Sequence, residues 1–184
     1  DLLYHLLSLK RSHRIPNLPI FLDSPMAIDA TDLLVKHKNE HRLSPADCVA
    51  MGQMVQYART VEQSKAINSN PIPKIVISAS GMATGGRVLH HLKLYVGDTR
   101  NCVLLAGYQA PGTRGDRLAR GEEIIKIHGQ DWPVRAEIVQ LDTMSAHADY
   151  AEILDWLRHF RRPPRKVFIT HGEPEAAEAM RQHV

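Results

Sequence analysis

The sequence predicts an α/β fold, a mostly parallel sheet flanked by helices. Three observations carry this. Short apolar runs recur at residues 18–22 (LPIFL), 74–78 (KIVIS), 101–106 (NCVLLA) and 166–170 (KVFIT), the length and composition of buried strands. Stretches with apolar residues at helical spacing alternate with them. Loops rich in hydroxyls and glycine follow the strands, at the carboxyl ends where such folds place their ligands.

Taken in order, residues 1–11 (DLLYHLLSLKR) carry a helical pattern and 18–22 a strand. Ser24-Pro25 then reads as an N-cap with proline in the first helical position, and the helix should reach about Lys38. Residues 39–58, polar and then scattered with methionines, read as irregular. Residues 60–68 read as a short helix, Thr60 and Gln63 being spaced as in a capping box. A strand at 74–78 leads through Ala79-Ser-Gly-Met-Ala-Thr-Gly-Gly86 into a helix from Arg87 to about Tyr95. A strand at 101–106 leads into the loop 107–115. Residues 123–127 and 134–141 read as an antiparallel pair around His128-Gly129. A helix at 149–160, with Asp149 as N-cap, a strand at 166–170 and a helix from Glu173 complete the chain.

Composition narrows the class. Of 184 residues, 43% are hydrophobic and 23% charged, a globular profile, and a chain of this length buries roughly 70% of its unfolded surface without staples. No apolar run reaches the ~18 residues of a membrane-spanning helix, so no membrane partner is expected. Asp1-Leu-Leu-Tyr-His lacks the basic start and long apolar run of a signal peptide. The chain opens without Met in mid-helix pattern, and is expected to be a piece of a longer polypeptide. Cys48 and Cys102 form neither a disulfide framework nor a metal knuckle; a reducing, cytoplasmic setting is expected. A net charge of +3 permits an anionic partner without demanding one. Eleven histidines raise the question of metal or proton chemistry.

Four loops fall where a ligand should sit: 23–27, 78–86, 107–115 and 171–173. Ser78 to Arg87 joins strand to helix, and its hydroxyls, glycines and N–H groups suit an anion cradle, with Arg87, His90 and His91 close by. An ordinary glycine-rich turn fits the same spacing, and no Walker lysine follows. In the loop 107–115, Thr113 and Arg114 suit phosphate and Tyr108 a stacked base; a rigid connection is the alternative. Arg87, Lys93, Arg100, Arg114, Arg117 and Arg120 either form a phosphate-tracking patch or a solvated face paired with Asp98, Asp116, Glu122 and Glu123. His147 occupies a loop before a helix, where it either moves a proton or is simply solvated. His171 ends a strand with Gly172 beside it. One imidazole is not a zinc site, and no second ligand stands at metal spacing.

Leu22-Asp-Ser-Pro-Met-Ala27, Ser78-Ala-Ser-Gly-Met82 with Gly85-Gly86-Arg87, Gly107-Tyr-Gln-Ala110 with Gly112-Thr113, Ser145-Ala-His-Ala-Asp149 and His171-Gly172-Glu173 occur in an order that resembles the β-CASP branch of the metallo-β-lactamase fold. Its RNA-processing members include RNase J and the endonuclease of cleavage and polyadenylation. The resemblance covers nearly the whole chain. It implies two zinc ions that activate water against an RNA phosphodiester, His147 as general acid on the scissile phosphate, and His171 as a terminal zinc ligand. RNA or phosphate binding falls to Ser24, to Ser78, Ser80, Gly81 and Arg87, to Tyr108, Gln109 and Thr113, and to Ser145. Residues 1–125 correspond to the β-CASP domain and 126–184 to the C-terminal return of the metallo-β-lactamase αββα domain.

The family's HxHxDH motif, its later His and Asp ligands and the acid that begins the β-CASP block are missing, and are expected upstream of Asp1. The chain by itself is therefore expected to hold no stoichiometric zinc and to be inactive. Its residues after about 125 are expected to lose their sheet partners and to be mobile, repacked or paired in a homodimer. Two rivals remain: a non-catalytic RNA-binding or scaffold subunit of the same fold, and a nucleotide-binding α/β protein, which would leave the His147 and His171 stretches unexplained.

Overall fold

The computed structural model describes residues 2–141, 143–144 and 147–184. They form two compact units, residues 1–144 and 145–184.

In the first unit, α1 (Leu2–Arg11) precedes β1 (Ile20–Leu22), and α2 (Pro25–Lys36) follows it. Then come α3 (Pro45–Met54), β2 (Val55–Tyr57), α4 (Val61–Ser69), β3 (Ile75–Ile77) and α5 (Val88–Tyr95). The strands form one parallel sheet in the order β2-β1-β3, with Ile20 opposite Val55 and Ile75. β1 is central and apolar throughout: Ile20 and Leu22, on one face, are buried and pack with Ile28 of α2, Val55 and Ile75, and Phe21, on the other face, is half-buried. The caps are those the residue types dictate. Ser24 accepts from the Ala27 N–H with proline following, and Thr60 and Gln63 form a reciprocal capping box.

A second core gathers on α5, β4 (Cys102–Ala106), α6 (Arg114–Ala119) and β5 (Ile124–Ile127), where Leu89, Leu92, Val96, Leu105, Leu118, Ile125 and Ile127 are buried together. β5 forms an antiparallel hairpin with β6 (Gln130–Pro133). His128 and Gly129 both have positive φ, 50° and 81°, as a type I′ turn requires. β7 (Glu137–Leu141) lies parallel to β4, Cys102 facing Glu137. A mixed α/β fold with parallel strands and flanking helices is thus the observed class.

Three expectations are corrected. Residues 39–58 are irregular only as far as Ser44: α3 starts at Ser44-Pro45, where Ser44 accepts from the Asp47 N–H, and β2 follows it. The same Ser-Pro signal marks α2, but α3 spreads its apolar residues around the helix, so periodicity misses it. Residues 134–141 are not the partner of 123–127. The hairpin closes through the polar run Gln130-Asp-Trp-Pro133, because a two-residue turn sets the register, and β7 goes to β4. Residues 166–170 form no strand. Within the second unit they meet no strand to pair with among the described residues, and Phe168 is 81% exposed.

That second unit contains α7 (Tyr150–Arg158) and α8 (Pro174–His183). Asp149 and Glu152 make the capping box that starts α7. No helix among the described residues is long and apolar enough to cross a membrane.

Candidate functional site

In the first unit, the carboxyl ends of β1, β2 and β3 are tied together by one buried carboxylate. Asp23 follows β1 and is fully buried. It accepts hydrogen bonds from Ser64 Oγ of α4 (2.6 Å), Arg87 Nη1 (2.6 Å) and His91 Nε2 of α5 (2.7 Å). Arg87 also donates to the carbonyls of Ala58 (2.6 Å) and Arg59 (3.0 Å), just after β2. Ser78, just after β3, donates to the Asp23 carbonyl at 2.8 Å. His91 Nδ1 lies 2.8 Å from Asn68 Oδ1, to which Tyr95 also donates.

Burial alone would raise the Asp23 pKa. The hydrogen bonds from Ser64, Arg87 and His91, with the charge of His91, outweigh it and hold the carboxyl below its ordinary range. Burial lowers the His91 pKa; the Asp23 hydrogen bond and charge oppose this without reversing it, and His90 and Lys74 add to the lowering.

This places several expected site residues. Arg87 is committed to Asp23 and two carbonyls and is one-fifth exposed, 19% at its side chain. Ser24 is buried and spends its hydroxyl on the helix cap. Ser80 organises its own loop, accepting from the N–H groups of Thr84 and Gly85. Gly81 is exposed at the tip. Gly86 has φ +84°, and a Cβ there would meet the Ala79 carbonyl oxygen at 2.5 Å. Gly86→Ala is therefore expected to destabilise by more than about 1 kcal/mol. Thermal unfolding checks this against Gly85→Ala, where a Cβ meets nothing within 4 Å.

The neighbouring loop 107–113 packs on this one, Gly115 N–H donating to the Met82 carbonyl at 3.0 Å. Tyr108 is 58% exposed. Gln109 is buried: its Nε2 donates to the Gly107 carbonyl, and its Oε1 has no hydrogen-bond partner among the described residues. Thr113 caps α6, accepting from the Asp116 N–H and donating to the Ala110 carbonyl.

The six-residue basic patch divides. Arg87, Arg100, Arg117 and Arg120 are ion-paired with Asp23, Asp98, Glu122 and Asp116. Lys93 sits over the Trp132 ring. Arg114 bonds to backbone carbonyls instead. Sequence reading missed Asp23 as the centre of the clamp, although it lies inside the Leu22–Ala27 stretch. Its partners Ser64 and His91 stand 41 and 68 residues away; Ser64 carries no local signal, and His91, visible beside the Ser78–Arg87 loop, carries none that points to Asp23.

In the second unit, His147 and His171 stand together, their ring centroids 5.9 Å apart at an interplanar angle of 46°. His171 has φ +62°, a conformation uncommon outside glycine and concentrated at functional sites. Ser145 lies outside the described residues. Among the described residues no group of three or more His, Cys, Asp or Glu is placed to hold a metal ion. His171 thus offers one imidazole, short of the four ligands usual around zinc.

The chain matches two family models, the Beta-Casp domain over residues 1–118 and the Zn-dependent metallo-hydrolase RNA specificity domain over residues 131–184. It is 38% identical to Ribonuclease TTHA0252 of Thermus thermophilus, over 91% of this chain and 39% of that protein. It is 31% identical to an RNase J-like protein of Methanocaldococcus jannaschii, over 89% of this chain and 38% of that protein. To the transcription termination factor FttA of Methanosarcina mazei it is 28% identical, over 90% and 28%. The chain spans less than two fifths of the length of each of these relatives.

Proposed function

Because this chain belongs to the β-CASP family of metallo-β-lactamase-fold nucleases, we propose that it forms part of a zinc-dependent ribonuclease. Its substrate is RNA, whose phosphodiester bonds it hydrolyses in cytoplasmic RNA processing or decay. Residues 1–125 serve as the β-CASP domain and 126–184 as the C-terminal return of the metallo-β-lactamase domain.

The observation that carries this reading is the 5.9 Å approach of the His147 and His171 rings across 24 residues of sequence. An imidazole can give up a proton near neutral pH or ligate a metal through a neutral nitrogen. His147 is the proton donor to the leaving oxygen and His171 is one zinc ligand. Zinc, when bound, supplies an activated water. Among the described residues no group of three or more ligands gathers around His171, so these residues do not make a zinc site by themselves, and the remaining ligands are expected from the rest of a longer polypeptide. Ser78, Ser80, Gly81, Tyr108, Thr113 and Ser145 belong to the stretches that meet RNA; Ser24, Arg87 and Gln109 support those loops from within.

The test compares this 184-residue chain with a longer polypeptide that carries it together with an upstream HxHxDH stretch. Metal content by mass spectrometry and cleavage of a labelled RNA are the readouts. The expected result is substoichiometric zinc and no cleavage for the chain alone, with about two zinc ions per longer polypeptide and cleavage abolished by chelation. Zinc-dependent cleavage by the chain alone would overturn the inactive-fragment reading. A longer polypeptide that binds RNA but neither zinc nor cuts would leave a non-catalytic RNA-binding or scaffold subunit.

A further inference from the structure

A cleft of about 620 Å³ opens between the loop 107–113 and the β5–β6 hairpin, lined by Thr84, Thr113, Arg114, Arg117 and Lys126 among others. Its charges are unevenly compensated. Arg117 is paired with Glu122 at 2.6 Å. The nearby Asp116 is occupied by Arg120 and the Gly112 N–H.

Arg114 donates only to carbonyl oxygens in the described contacts: Lys126 at 2.5 Å, Ala83 at 3.2 Å and Thr84 at 3.4 Å. Carbonyls are neutral. They hold the guanidinium in place without cancelling its charge, so a ligand need not order it. Lys126 is exposed on β5. Asp131 stands opposite it in the hairpin register, yet the two form no ion pair among the described residues. Counting Arg114, Arg117 and Lys126 against Glu122 and Asp131 leaves one excess positive charge.

We propose that this cleft is a subsite for the phosphodiester backbone of single-stranded RNA, with Arg114 and Lys126 as its phosphate contacts. The proposal rests on the RNA substrate inferred above. Thr84 and Gly112-Thr113 make the cleft continuous with the two glycine-rich loops, so a strand lying along those loops runs into it. One uncompensated charge suits one or two phosphates, a contact that adds to binding rather than one that supplies it. No aromatic ring lines the cleft, so it offers no stacking platform. A backbone contact of this kind positions a strand without reading its bases.

Lys126 and Asp131 are both exposed hairpin residues, and substitutions there test the charge with little risk to the core. The experiment measures binding of fluorescent 12-nucleotide RNAs, one oligo-U and one mixed sequence, to this chain by anisotropy across a salt series. Lys126→Gln is expected to weaken binding about 3-fold and to reduce the slope of log K against log salt by roughly 0.7, the value for one phosphate of a single strand. Lys126→Glu should weaken it further, Asp131→Asn should tighten it, and both RNAs should respond alike.

Unchanged affinity and slope for Lys126→Glu and Asp131→Asn, with wild-type binding intact, would overturn the subsite and leave the RNA reading standing. An effect confined to one RNA sequence would also overturn the backbone contact. If the wild-type chain binds neither RNA at low salt, the subsite and the RNA-binding role of this chain fall together. Amide spectra of residues 124–133 confirm that each variant keeps the hairpin.

Discussion

Replacing Asp23 by Asn is expected to cost the first unit about 3–5 kcal/mol, the scale of a buried ion pair left with one partner. The side chain keeps its shape but loses its charge. Arg87 is then left largely buried without a counter-ion, and the amide turns an N–H toward donors from Ser64, Arg87 or His91. For a chain of this size each kcal/mol moves the melting temperature by roughly 2–4 °C, so a fall on the order of 10 °C is expected. Hydrogen exchange across Ile20–Leu22 should speed up in step. Arg87→Lys keeps the charge but lacks the planar fork that reaches Asp23, Ala58 and Arg59 at once, and should cost less. A loss under about 1 kcal/mol for Asp23→Asn, within the range of ordinary surface substitutions and small effects, would show that the strand ends are held by packing alone.

The same clamp sets an acid dependence. The Asp23 carboxyl titrates below its ordinary value of 3.8 in the fold. Its contribution is complete above that value and is lost as pH falls through the folded one. His91 titrates below its ordinary value of 6.5 because it is buried. The folded state therefore takes up its proton later than the unfolded chain does, and stability begins to fall as pH drops below about 6.5. Thermal unfolding between pH 8 and 3 should show both losses. His91→Gln should remove the earlier one and leave the later.

Local signals made much of the fold legible. Ser24-Pro25, Thr60 with Gln63, and Asp149 each announce a helix start through a side-chain acceptor that needs no distant partner. The three apolar runs that became β1, β3 and β4 are buried or half-buried strands whose composition suffices to mark them. What was not legible depends on partners. Lys166–Thr170 has the composition of a strand but forms none, since a strand is made by its neighbour's N–H and C=O groups as much as by its own residues. Gln130-Asp-Trp-Pro133 lacks strand composition yet pairs, because the His128-Gly129 turn folds it back on β5. At the site, the stretches around Ser78 and Thr113 were visible as loops. That Arg87 turns inward was decided by Asp23, 64 residues away, whereas Arg114 is held by the carbonyls of Ala83, Thr84 and Lys126 and meets no carboxylate in the described contacts.

His147→Ala, made in a longer polypeptide that assembles the metal centre, is expected to lower kcat by roughly 10²–10⁴-fold, the usual contribution of a positioned general acid. KM and zinc content should stay near wild type. His171→Ala should differ in kind, since it removes a metal ligand: zinc content and kcat fall together. The approach of the two rings to 5.9 Å makes this distinction necessary, because either imidazole could in principle serve the other's role. One further readout separates them. A general acid helps most when the leaving oxygen is poor, so a phosphodiester with a nitrophenolate leaving group should recover most of the lost rate in His147→Ala and little in His171→Ala. Equal losses with both substrates, or zinc loss in His147→Ala, would move His147 from proton transfer to metal binding and require another residue to protonate the leaving oxygen.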